Sequence, residues 1–62
     1  MTTVRKGQIW KSNSRPDLLL ILEVTGEYLL YVDWENRYNI TKENSYMTRV
    51  SLLTENYKLF QQ

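Results

Sequence analysis

The chain has 62 residues, eight basic and seven acidic, for a formal net charge of +1. This length sets a single domain near the lower limit for folding without metals, disulfides or a partner, and so even a charge argues against a strong phosphate binder. With neither cysteine nor histidine, the sequence excludes a disulfide framework, thiolate chemistry, serine-histidine nucleophiles and the usual zinc ligands.

Met1-Thr2-Thr3-Val4-Arg5-Lys6-Gly7 is charged within a few residues and has no apolar stretch of the kind a secretory signal needs. The longest uninterrupted apolar run, Leu18 to Leu22, falls far short of the roughly 20 residues that span a bilayer. A soluble, cytoplasmic protein is expected, and the sequon Asn39-Ile40-Thr41 is then read as unused.

Gly7 to Lys11 reads as a first strand. Ser12-Asn13-Ser14-Arg15-Pro16-Asp17 consists of loop formers, with Pro16 unable to donate to a ladder. Leu18 to Val24 and Tyr28 to Trp34 read as two strands of a hairpin joined at Thr25-Gly26-Glu27, where Gly26 can take a positive φ. Glu35 to Asn44 reads as a long loop, and Tyr46 to Val50 as a fourth strand. Ser51-Leu52-Leu53-Thr54 suggests a single helical turn, capped by Ser51 and plugging one end of the fold with two leucines. Tyr57 to Phe60 closes as strand five. A helix spanning Ser45 to Glu55 would instead make the fold α+β.

Alternation along a strand places Leu18, Leu20, Leu22 and Val24 on one side and Leu19 and Ile21 on the other. One small domain has a single core, so one face of this doubly apolar hairpin is expected to lie open or to be covered by curling. Trp10, Leu20, Leu22, Leu30, Val32, Val50, Leu53 and Leu59 are assigned to the core. Leu19, Ile21, Leu29, Tyr31 and Met47 are then left as an aliphatic surface for a protein partner or for a homodimer.

Charges are unevenly placed. Arg5, Lys6, Lys11 and Arg15 precede Asp17, whereas Glu23, Glu27, Asp33 and Glu35 fall between Leu18 and Asn36 without a basic residue among them. Asp33 and Glu35 would share a strand face, but with no histidine or glycine-rich phosphate loop beside them they read as solvated charge rather than an acid/base pair. The eight aromatic residues serve first to fill a small core. Those left outside could line a groove for an extended peptide or stack on single-stranded nucleic acid. The latter reading would use Arg5, Lys6, Lys11, Arg15, Arg37 and Arg49 around Trp10, Trp34 and Tyr38, with weak, salt-dependent affinity.

Five short strands, a long loop after the first and a helical turn before the last is the layout of an SH3-like barrel. Arg5-Lys6-Gly7-Gln8-Ile9-Trp10, Ile21-Leu22-Glu23-Val24, Val50-Ser51-Leu52-Leu53 and Tyr57-Lys58-Leu59-Phe60 resemble small bacterial and bacteriophage SH3-like barrel proteins, which often open on Lys-x-Gly-Gln-x-Trp and end on a Tyr-x-Leu strand. The resemblance implies an all-β, five-stranded SH3-like barrel over residues 1–62 with a 3-10 turn before the last strand, from a bacterium or its phage. That group is functionally mixed. Eukaryotic SH3 modules that grip proline-rich ligands carry an acidic loop after strand one, and the loop here holds one acid, Asp17. The reading is therefore a non-enzymatic protein-binding module, a regulator or inhibitor, needing no cofactor or metal. A nucleic-acid-binding barrel is the alternative.

Overall fold

The hairpin at the centre of the chain organises everything else. In the computed structural model, which describes residues 3–62, β2 (Leu18–Thr25) pairs antiparallel with β3 (Tyr28–Asp33). Thr25 faces Tyr28 across a two-residue turn, and Gly26 sits at φ +60°. A glycine with positive φ at the first central position is the II′ pattern, whose twist matches that of the flanking strands.

β1 (Ile9–Ser12) lies beside β2, and β4 (Ser45–Arg49) beside β3. β5 (Tyr57–Gln61) returns to the free side of β1, giving an antiparallel sheet in the order β4-β3-β2-β1-β5. Its outer strands, β4 and β5, are not hydrogen-bonded to each other among the described residues, so the sheet is not closed. The helix α1 (Val50–Asn56) connects them and packs on both. Backbone bonds pin it at each end: Val50 N–H donates to Glu27 O at the hairpin tip, and Asn13 N–H donates to Asn56 O.

Two features differ from the sequence expectation for these elements. The segment before β5 is a seven-residue α-helix rather than a single 3-10 turn. It is anchored by Leu53, which is 1% exposed, with Val50 packed beside the same cluster one turn earlier. The 3-10 turn lies elsewhere, at Trp34–Asn36 directly after β3. The five strands themselves fall where the sequence places them, within a residue or two.

The face assignment is reversed. Leu19, Ile21 and Leu29, read from the sequence as an exposed interface, are 1–2% exposed and form the core with Val4, Trp10 and Leu53. Register gives the reason. Trp10 stands opposite Leu19, and Ile21 opposite Tyr31, so the indole shares a face with the odd-numbered residues of β2. A bulge between Ile21 and Glu23 then shifts the phase: Leu22 is the extra residue, and Val24 joins Ile21 on the inner side, packed against the core. Leu20, Leu22 and Leu30, expected in the core, are only half-buried. Val32 is fully buried but stands apart from the main cluster, and Met47 is 69% exposed.

Gln8 closes the amino-terminal side of the core. Its buried side chain accepts the Arg5 backbone N–H (2.7 Å) and the Trp10 indole N–H (3.1 Å) at Oε1, and its Nε2 donates to Thr3 O. Its backbone carbonyl accepts Ile21 N–H at 3.0 Å, while Gly7 N–H donates to Ile21 O at 2.8 Å. Gly7, at φ +91° and with open space around it, takes the backbone conformation that favours glycine. One amide thus holds Val4 over the core and satisfies the only polar atom of Trp10.

Candidate functional site

One side chain at the end of β1 ties down the loop that follows it. Ser12, buried at the end of β1, accepts the N–H groups of Ser14 and Arg15 at Oγ (3.2 Å each), and its own N–H donates to Asp17 O. That turn presents Arg15, Pro16 and Asp17 along one wall of a cleft of about 450 Å³. The facing wall comes from the end of β3 and the turn after it, with Asp33, Trp34 and Glu35, and the floor carries Tyr31, Tyr46 and Tyr57.

The tyrosines meet because the strand order brings them together. Tyr31 and Tyr46 are directly opposed across β3 and β4, their ring centroids 5.7 Å apart at 40°. Tyr57 starts β5 opposite Ser12, at the foot of the same loop. Burial pushes the Tyr31 hydroxyl above its usual pKa of 10.0, and Tyr57, Asp33 and Tyr46 add to the shift. At neutral pH Tyr31 therefore keeps a proton that it can donate.

A second hollow, of about 220 Å³, shares Leu19, Tyr31 and Tyr57 with the first and continues past Thr48, Leu52, Leu53 and Asn56 of β4 and α1. The two hollows thus adjoin at these three residues, the first polar and acidic by Asp33 and Glu35 and the second more apolar beside the half-exposed Leu52.

The sequence-predicted sites are dispersed. Of the expected protein interface Tyr31 and the buried Leu19 line the groove, whereas Ile21 and Leu29 are interior, and Met47 lies on β4 with its partner Leu30 on the opposite side of the sheet. Four of the six cations proposed for nucleic acid have partners within the chain. Lys6 approaches Glu23 at 4.0 Å, and Arg15 pairs with Asp17 at 3.2 Å. Arg37 lies 4.2 Å over Trp34 and 4.6 Å over Tyr38 while donating to Trp34 O, and Arg49 lies 5.7 Å from the Tyr28 ring. Arg5 is exposed, and Lys11 is half-buried, directly opposite Lys58.

Asp33 and Glu35, set aside as hairpin solvation, are functional candidates that the sequence reading passed over. Its signal was their position beside Trp34, since a chain leaving a strand edge through a 3-10 turn carries successive side chains around one rim. Among the described residues no group of three metal-ligating side chains comes together, and no helix is long and apolar enough to cross a membrane. Comparison with known proteins found no matching family model, no matching curated protein and no matching solved structure.

Proposed function

We propose that this chain is a non-enzymatic protein-binding module, an SH3-like barrel in which α1 bridges the two outer strands, and that its groove holds an extended segment of a partner protein. The observation that carries this reading is the pair of hollows that adjoin at Leu19, Tyr31 and Tyr57. A groove that is aromatic and acidic at one end and apolar at the other matches a short extended peptide, whose backbone hydrogen-bonds while successive side chains enter different pockets. Tyrosines suit the task because they offer large contact area with few rotors to immobilise. The role that follows is that of a cytoplasmic regulator or inhibitor acting by occupancy, in the bacterial or phage setting that the sequence resemblance implies.

Nucleic-acid binding is the weaker proposal. Carboxylates at the groove oppose phosphate, and Arg15 and Arg37 are engaged by neighbours.

The test is selection from a random dodecapeptide display library, followed by mapping of amide and aromatic NMR shifts. Binders that move Tyr31, Tyr46, Tyr57 and Trp34 support the reading, and Tyr57→Ala should weaken them by about tenfold or more, the scale of an interface hot spot. An empty selection, or binders that perturb only the exposed face around Met47, refutes it.

A further inference from the structure

We infer that the free edge of β4 pairs antiparallel with β4 of a second copy of the chain, making a symmetric dimer. The sheet has two outer strands, and their edges are not alike. β5 carries Lys58 and a bulge at Phe60, since Gln61 faces Ile9 while Leu59 faces Trp10; a charge and a bulge are devices that keep an edge strand from templating another. β4 is less defended. Ser45-Tyr46-Met47-Thr48-Arg49 runs in unbroken register with β3, its one charge at the end, and Tyr46 and Met47 are 47% and 69% exposed.

The direction of the backbone groups decides which of them can bond. Val50 N–H turns inward to Glu27 O, and direction alternates along a strand, so Thr48 and Tyr46 point toward β3 while Met47 and Arg49 turn their N–H groups outward. Among the described residues nothing bonds those two N–H groups or the outward carbonyls of Ser45 and Met47. A two-fold axis at Met47 uses all of them. Met47 exchanges both its bonds with Met47 of the second copy, and each Arg49 N–H reaches the opposing Ser45 O. Ser45 N–H is already given to Thr41 O, so the ladder ends there. The side chains agree with this register: Tyr46 faces Thr48, an aromatic against a β-branched residue, and Arg49 faces Ser45, so no like charges meet. Because the register maps β4 onto itself, the contact is isologous and closes at two copies.

The chain lacks cysteine, so single substitutions report the register directly. Met47→Cys sets two thiols on the axis, with Cα atoms about 5.5 Å apart and within disulfide reach, whereas Thr48→Cys sets them on opposite sides of it, beyond the limit of roughly 7 Å. Under mild oxidation the first should cross-link to a dimer and the second should not. Sedimentation of the unmodified chain should show a monomer–dimer equilibrium, and the Met47 and Arg49 amides should exchange more slowly as concentration rises while Thr48 stays protected throughout. Met47→Lys, at an exposed position, and Met47→Pro, which loses only an outward N–H, should each weaken association by about tenfold or more. A monomer at every concentration up to about 1 mM, equal cross-linking of the two cysteine variants, or open-ended larger species overturns the dimer and leaves the groove reading standing.

Discussion

Replacing Ile21 by alanine and, separately, Leu20 by alanine tests which face of the central hairpin is the core. Both substitutions remove three carbons from neighbouring residues of one strand. At ~0.8 kcal/mol per buried CH₂, the transfer loss at Ile21 is about 2.4 kcal/mol, and a cavity with no access to water raises it toward 3–4 kcal/mol. Leu20, half-buried and on the opposite side, leaves no enclosed void, and its loss should be about 1 kcal/mol. At roughly 0.05–0.15 kcal/mol per residue the whole domain has about 3–9 kcal/mol to lose. Ile21→Ala therefore takes a large share of the total, and Ile21→Val, which stays folded, should lose about 1 kcal/mol for a single methylene, as much as Leu20→Ala loses for three carbons. Urea unfolding followed by tryptophan fluorescence reads all three. With a slope near 1 kcal/mol/M, Ile21→Val moves the midpoint down by about 1 M. If Leu20→Ala destabilises as much as Ile21→Ala, the inner face has been assigned wrongly.

Alkaline titration tests the tyrosine cluster. Because the folded pKa of Tyr31 is raised, its contribution to stability is complete below 10.0, the unfolded value, and is lost as pH rises through the folded one. Tyr31→Phe should remove that part of the alkaline decline in melting temperature, and an unchanged slope would place the perturbed hydroxyl elsewhere. Gln8→Leu leaves the Trp10 indole and the Arg5 amide without their acceptor at a buried position, at a cost of about 1–3 kcal/mol in the same urea assay. A neutral result would mean that water replaces the amide. Gly26→Ala forces a side chain into the positive-φ region and should cost about 1–2 kcal/mol, although the space around it is open. Ser12→Ala should speed amide exchange at Ser14 and Arg15 before it changes global stability.

Strand positions were legible because turn formers punctuate the chain. Pro16 and the serines before it end β1, Gly26 makes the hairpin, and the polar stretch through Asn44 separates β3 from β4. The side of each strand was not. Register is pinned by pattern only where one face is polar, and from Leu18 to Leu22 both faces are apolar. The bulge at Leu22 also leaves no mark in the residue types around it. The groove depends on long-range placement, since Arg15, Tyr31, Asp33, Tyr46 and Tyr57 come from different elements. No local spacing could announce it. Gln8 escaped notice for the opposite reason. It belongs to the Gly-Gln-x-Trp opening that suggested the fold, yet its work is done by an amide two residues from the indole it serves. The motif thus reports on architecture and carries no information about a ligand.

The pairing of β1 with β5 also has a kinetic consequence. It joins Ser12 to Tyr57 and Trp10 to Leu59, so one flank of β1 gains its ladder only when nearly the whole intervening chain has been drawn into a loop. Closing such a loop costs entropy before the contact returns any energy, and topologies dominated by distant pairings fold in milliseconds to seconds rather than microseconds. The local β2–β3 hairpin, held by a two-residue turn, can form early, whereas Tyr57 joins the groove only with the last strand. The groove should therefore be complete only at the final step of folding, and a nascent chain still lacking β5 would present β1 as a free sheet edge until that strand emerges.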